Sequence, residues 1–252
     1  MRTKILIPLF LLLIVSSILA AKVQTSWWDV YYKYAYMLVE KYRIGMETII
    51  SFTNEKGKDS TKLSSIKGEF LSANAELKTA CDNEDKTAIE TTILKMKDIV
   101  KRFKEEARIQ LVGFGIEALS RINAAWEANE TYFNSLLDDA RNLHKQRNTE
   151  IFDWAVQKGE EAIQKLEEYG KDATLAKAKL TEIKAKRENF VNSMSQAIAS
   201  CYGVPQRVLV CPSGLVSGDC LTKVQSYCNL RDEIKSDFNE LRDLVYQAAG
   251  LK

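Results

Sequence analysis

Four cysteines, Cys201, Cys211, Cys220 and Cys228, fall within 28 residues near one end of the chain, and a fifth, Cys81, stands alone. Thiols at such density either hold a metal or form disulfides. Zinc sites use closely spaced Cys pairs, whereas here nine, eight and seven residues intervene. The spacing therefore predicts a disulfide framework. Three pairings are open. The expected one joins Cys201 to Cys228 across two helices and Cys211 to Cys220 around the inner loop. Cys81 is left as an unpaired or intermolecular thiol, or as partner to one of the four.

Other chemistry is thinly represented. The single histidine, His144, lies in Arg141-Asn-Leu-His-Lys-Gln-Arg147 with no carboxylate one helical turn away to orient it. Acidic neighbours such as Glu105-Glu106, Asp138-Asp139, Glu160-Glu161 and Glu167-Glu168 point about 100° apart on a helix, so they are not prepared acid/base pairs. There is no Glu-x-x-His metal motif, phosphate-binding glycine loop or Gly-x-Ser-x-Gly elbow. No catalytic residue, metal site or cofactor is expected. One sequon, Asn129-Glu130-Thr131, offers a glycosylation site in a glycosylating compartment.

Thirty-six Lys and Arg stand against 34 Asp and Glu. Arg2 and Lys4 belong to an N-terminal segment expected to be removed, which leaves 34 of each sign. A near-neutral chain lacks the cationic excess that nucleic-acid binding requires. A hydrophobic share of 46% excludes a disordered chain. The N-terminus reads basic (Arg2, Lys4), then apolar through residues 5–15, then small-residue-rich up to Ala20-Ala21. This is the pattern of a secretory signal cleaved after Ala20. The alternative is an uncleaved membrane anchor with the body outside. Both readings export the body, consistent with the disulfides.

The elements that carry these residues are helices. Residues 22–200 contain no proline, and apolar residues recur at three- and four-residue intervals. A first helix is expected over 26–52, with an inner stripe of Trp27, Tyr31, Tyr34, Leu38, Tyr42, Gly45, Ile49 and Phe52. Asp59 or Ser60 caps a second, striped by Leu63, Ile66, Phe70, Ala73, Leu77 and Cys81. From the start signal at Asp85, a pattern without a strong breaker runs to Tyr169, about 130 Å if unbroken. It is expected to turn near residues 144–149, or near Gly113-Phe114-Gly115. Gly170 and Asp172 mark a helix–helix turn. The following helix has seam spacing through Ala176, Leu180, Ile183, Arg187, Phe190, Met194, Ala197 and Cys201. Arg187 on that seam is expected to pair with a carboxylate across the bundle or to fix register at some cost in stability. A last helix spans 219–249.

The expected fold is all-α: an elongated antiparallel bundle of coiled-coil-like hairpins with a small disulfide-stapled loop near its C-terminal end. Its segments are a signal or anchor at 1–20, a long-helix bundle at 21–200, the Cys-rich loop at 201–228 and a packing helix at 229–252. Seven aromatics crowd residues 27–42, more than one stripe needs. Trp28, Tyr32 and Tyr36 recur on a separate face and are the candidate partner-binding surface. The expected role is an exported, extracellular, non-enzymatic binding, scaffold or spacer module. Its partner would be another protein or a second copy met through helix faces, with membrane contact only if the N-terminus is uncleaved. The alternative is a carrier of a lipid or small apolar molecule, in a cavity around Phe103, Phe114, Trp126 and Trp154.

Overall fold

Ser26 opens the first helix by a reciprocal cap. Its Oγ accepts from the Trp28 amide at 3.1 Å, while Asp29 Oδ2 accepts from the Ser26 amide at 3.2 Å. The computed structural model describes residues 25–200 and 219–251, and the side chains of all of these except 194–196, 198–200 and 219–221. The expected signal segment, Cys201 and Cys211 lie outside the described residues. Helices follow one another as α1 Trp27–Glu55, α2 Thr61–Asp82, α3 Lys86–Gln110, α4 Gly115–Ala128, α5 Glu130–Glu168, α6 Thr174–Ala185, α7 Arg187–Ser200 and α8 Asp219–Ala249. The protein is all-α among these residues. None of these helices is long and apolar enough to cross a membrane.

The described chain divides into two compact units, Ser26–Leu143 and a second comprising residues 144–200 and 219–251 with Thr25. The division falls inside the 21–200 segment expected as one bundle. In the first unit, α2 lies antiparallel to α3. Ion pairs Glu76–Lys95, Glu69–Arg102 and Lys62–Glu106, at 2.7, 2.6 and 2.5 Å, step up one helix and down the other. The first two pairs are exposed and specify register more than they add stability, whereas Glu106 is a buried carboxylate. α1 runs antiparallel to α2 through Glu47–Lys67, and to α4 through Glu55–Arg121 and Lys56–Glu117. Between them lie Phe52, Leu63, Phe70, Leu77, Ile99 and Phe103, each at most 4% exposed. Burying such side chains is the main favourable term in holding the helices together.

The α2 stripe is buried as its periodicity predicts, from Leu63 to Cys81. The α1 stripe is shifted: Leu38 and Tyr42 are 39% and 41% exposed, and Val30, Met37, Val39 and Met46 are buried instead. A helix with several partners buries a wide arc, and an aromatic-rich sequence does not show where that arc is centred.

The long pattern after Asp85 turns at residues 111–114. The Leu111 carbonyl accepts from the Phe114 amide at 2.9 Å, and Gly113 takes φ +86°, which glycine adopts without strain. A second interruption falls at Asn129. The turn at 111–114 is one of the two alternative positions expected; at the other, 144–149, the helix is not interrupted and α5 continues through it. His144 and Asn148 point inward there, 4% and 8% exposed. The polar residues therefore extend the inner face, with no backbone signal to stop the helix.

In the second unit, α5 pairs antiparallel with α6 and α7 through Glu167–Lys177, Glu160–Lys184 and Asp153–Arg187. α8 runs antiparallel to α6 and α7, with Phe190 stacked on Tyr227 at 5.7 Å. The seam expected as one uninterrupted helix is broken at Lys186, whose amide bonds back three residues to Ile183. That turn takes Arg187 off the seam. Its guanidinium is 45% exposed and forks onto Asp153 at 2.6 and 2.7 Å.

The α5–α6 turn falls where expected, with Gly170 as the stop but Ala173, not Asp172, at the N-cap position. The Gly170 and Lys171 amides donate to Glu167 and Leu166 carbonyls at 2.8 and 2.9 Å, Gly170 has φ +68°, and Asp172 Oδ1 accepts from the Thr174 amide. A Cβ at Gly170 would meet nothing within 4 Å, so the cost of Gly170→Ala is conformational alone. It should be about 1 kcal/mol, read as a lower urea midpoint at unchanged slope.

Candidate functional site

Each unit contains an apolar groove among the described residues. In the first, α1, α3 and α4 enclose about 490 Å³. Phe103 and Met46 form the buried floor, while Leu119 and Trp126, 58% and 36% exposed, form the rim. The Trp126 indole crosses α1 at Gly45, where a Cβ would stand 3.6 Å from Nε1, and Nε1 donates to the Lys41 carbonyl at 3.0 Å. Lys41 and Lys104 are the charged residues of the wall.

In the second unit the groove runs between α5 and α8 and has a volume of about 460 Å³. Its walls are residues 148–162 and 231–245, four turns of each helix, or about 21 Å. Small residues on α5, Ala155, Gly159 and Ala162, face Phe238, Leu241 and Val245 on α8. At Gly159 the packing is closest: a Cβ would stand 3.1 Å from both Leu180 and Leu241. The rim carries Lys158, Arg231, Lys235 and Arg242, and no carboxylate lines the wall among the described residues. Lys158, Arg231 and Arg242 contact Glu161, Asp232 and Asp243 on their own helices, at 2.6, 2.8 and 3.4 Å.

The residues expected around one cavity are thereby separated. Phe103 and Trp126 line the first groove and Trp154 the second. Phe114 lines neither. It packs edge-on against Phe52 at 6.3 Å and under the Lys56 ammonium at 4.6 Å.

Trp28, Tyr32 and Tyr36 are half-buried against their own unit. Trp28 meets Tyr31 edge-on at 6.1 Å, and Tyr32 lies 5.5 Å beneath the Lys78 ammonium. Burial pushes the Tyr32 hydroxyl pKa up, against a hydrogen bond with Asn74 that lowers it. Tyr36 joins a network around Glu40, a buried carboxylate that accepts from Arg43 Nη2 at 2.8 Å and Tyr132 Oη at 3.0 Å. Burial alone would raise the Glu40 pKa, but hydrogen bonds from Arg43, Tyr132 and Tyr36 hold it below the usual carboxylate range. Burial and the same carboxylate push Tyr132 up to about 12. Sequence reading missed this cluster, although Glu40 one turn from Tyr36 was a signal for it.

Cys81 is a free thiol, 1% exposed in the first unit's core. Burial, then Asp82 and Asp29, push its pKa up to about 11. About 0.1% thiolate is therefore present at pH 8. Native protein should resist iodoacetamide at that pH and label promptly in urea. Labelling of the native state at the rate of a free thiol would overturn this. Cys228 is buried and disulfide-bonded. Cys220 is the second residue of α8, and its side chain lies outside the described ones. His144 is a buried seam residue outside both grooves. At the sequon, Asn129 Nδ2 already donates to the Ala125 carbonyl at 2.8 Å. Among the described residues no group of three or more His, Cys, Asp or Glu could hold a metal.

No family model, curated protein or solved structure matches this chain.

Proposed function

We propose that this protein is an exported, non-enzymatic binding module whose working surfaces are its two apolar grooves. One observation carries the reading. Ion pairs such as Glu76–Lys95 and Glu160–Lys184 join neighbouring helices of each unit, while an interhelical groove in each is apolar and open to solvent. Sites of 300–1,000 Å³ lined by hydrophobic side chains with a few polar groups are the usual form of a small-ligand pocket. The disulfide at Cys228 supports a stapled segment at 201–228, with Cys201, Cys211 and Cys220 as available partners. It would hold the N-terminal end of α8, ahead of the residues 231–245 that line the second groove.

The test is titration with Nile red, a neutral dye that brightens in apolar sites. Two sites are expected. Ala107→Trp should fill the first and Ala155→Trp the second, each removing one. A protein that leaves the dye dark, or that binds it unchanged in both variants, would end the reading.

A further inference from the structure

We propose that the α5–α8 groove binds a free long-chain carboxylate, with its headgroup between Arg231 and Lys235 and its tail running toward Ala162 and Val245. The inference rests on the groove reading above and adds the class of ligand. Length is the first argument. The groove spans about 21 Å. At roughly 1.2 Å per bond of extended chain, that takes a tail of about sixteen to eighteen carbons. Sign is the second. Four cations and no carboxylate line this groove among the described residues, in a chain with nearly equal numbers of both charges. Placement is the third. Arg231 and Lys235 stand one turn apart on α8, where like charges repel. An anion between them relieves that repulsion and gains charge-assisted hydrogen bonds. The acidic contact of Arg231 is its exposed neighbour Asp232, a local pair weak enough to be exchanged for a ligand carboxylate. Further along, the aliphatic stems of Lys158 and Arg242 cover the tail while their charges stay in water.

Displacement of Nile red from the full protein tests this at low salt. Hexadecanoate is expected to remove the dye from the α5–α8 site but not from the other groove. Hexadecanol, with the same tail and no charge, should bind about tenfold more weakly. Arg231→Glu with Lys235→Glu should weaken hexadecanoate at least tenfold and leave hexadecanol unchanged, whereas Lys158→Glu with Arg242→Glu should have the smaller effect. The exposed α8 pair is not expected to alter helicity. Should it do so, the carboxylate–alcohol comparison on unmodified protein decides alone. Equal binding of acid and alcohol, or a larger loss from the second pair, overturns the carboxylate assignment while the grooves stand. Dye that Ala155→Trp removes but hexadecanoate does not displace points instead to another occupant, such as an acidic partner helix, and also overturns it. Failure of Nile red to bind at all would sink the grooves themselves.

Discussion

Lowering the pH from 7 to 4 is expected to remove up to about 3 kcal/mol of stability through His144 alone. The ring is 4% exposed, and burial, reinforced by the Arg147 charge, pushes its pKa down from 6.5 to about 4. The folded ring is therefore neutral where the unfolded one already binds a proton. Its contribution is fully present above pH 6.5, is lost progressively as pH falls, and is gone below about 4. Because the chain has one histidine, the slope between pH 6.5 and 5 belongs to this residue, before the carboxylates titrate. Urea unfolding at several pH values should show that slope, and His144→Gln should flatten it. The two ring C–H resonances of this one imidazole should also stay unshifted until near pH 4. A ring titrating near 6.5 in the folded protein would refute the assignment.

Asp237→Ala should cost about 2–3 kcal/mol, the largest effect expected of any ionic residue in the second unit. The carboxylate is 9% exposed and takes Lys179 on one oxygen at 2.8 Å and Lys186 on the other at 2.6 Å. It thus ties α8 to α6 and to the turn at Lys186. Burial alone would raise its pKa, but the two ammonium groups outweigh that and hold it below the usual carboxylate range. This contribution is present above the unfolded carboxyl pKa and disappears as pH falls through the lower folded value. Removing the side chain leaves Lys179, 11% exposed, with Glu182 and Glu240 still in contact. That compensation keeps the cost below that of stranding a buried charge. Glu76→Gln, in the exposed α2–α3 ladder, is the control and should change little. Equal effects from the two substitutions would contradict this distinction.

The amino-acid sequence by itself determined what neighbouring residues can determine. Helical periodicity, the Ser26 and Asp85 caps, the Gly170 stop and the limits of α8 all follow from contacts within a turn or two. The α2 stripe was equally legible, because a helix with one dominant apolar face has one way to bury it. Tertiary structure alone decided where the long pattern after Asp85 folds, how the α1 arc is centred and which way Arg187 points. Periodicity specifies that a face is buried, not which neighbour covers it, and a polar run such as residues 144–149 stays helical when the interior accepts His144 and Asn148. The grooves had only a faint trace in sequence: small residues at 155, 159 and 162, and basic residues at 231, 235 and 242. Neither set means anything until α5 lies beside α8. The open volume belongs to the space between two helices about 80 residues apart in sequence, with Phe152 against Phe238 and Gly159 against Leu241, and no local rule of the chain reaches that far.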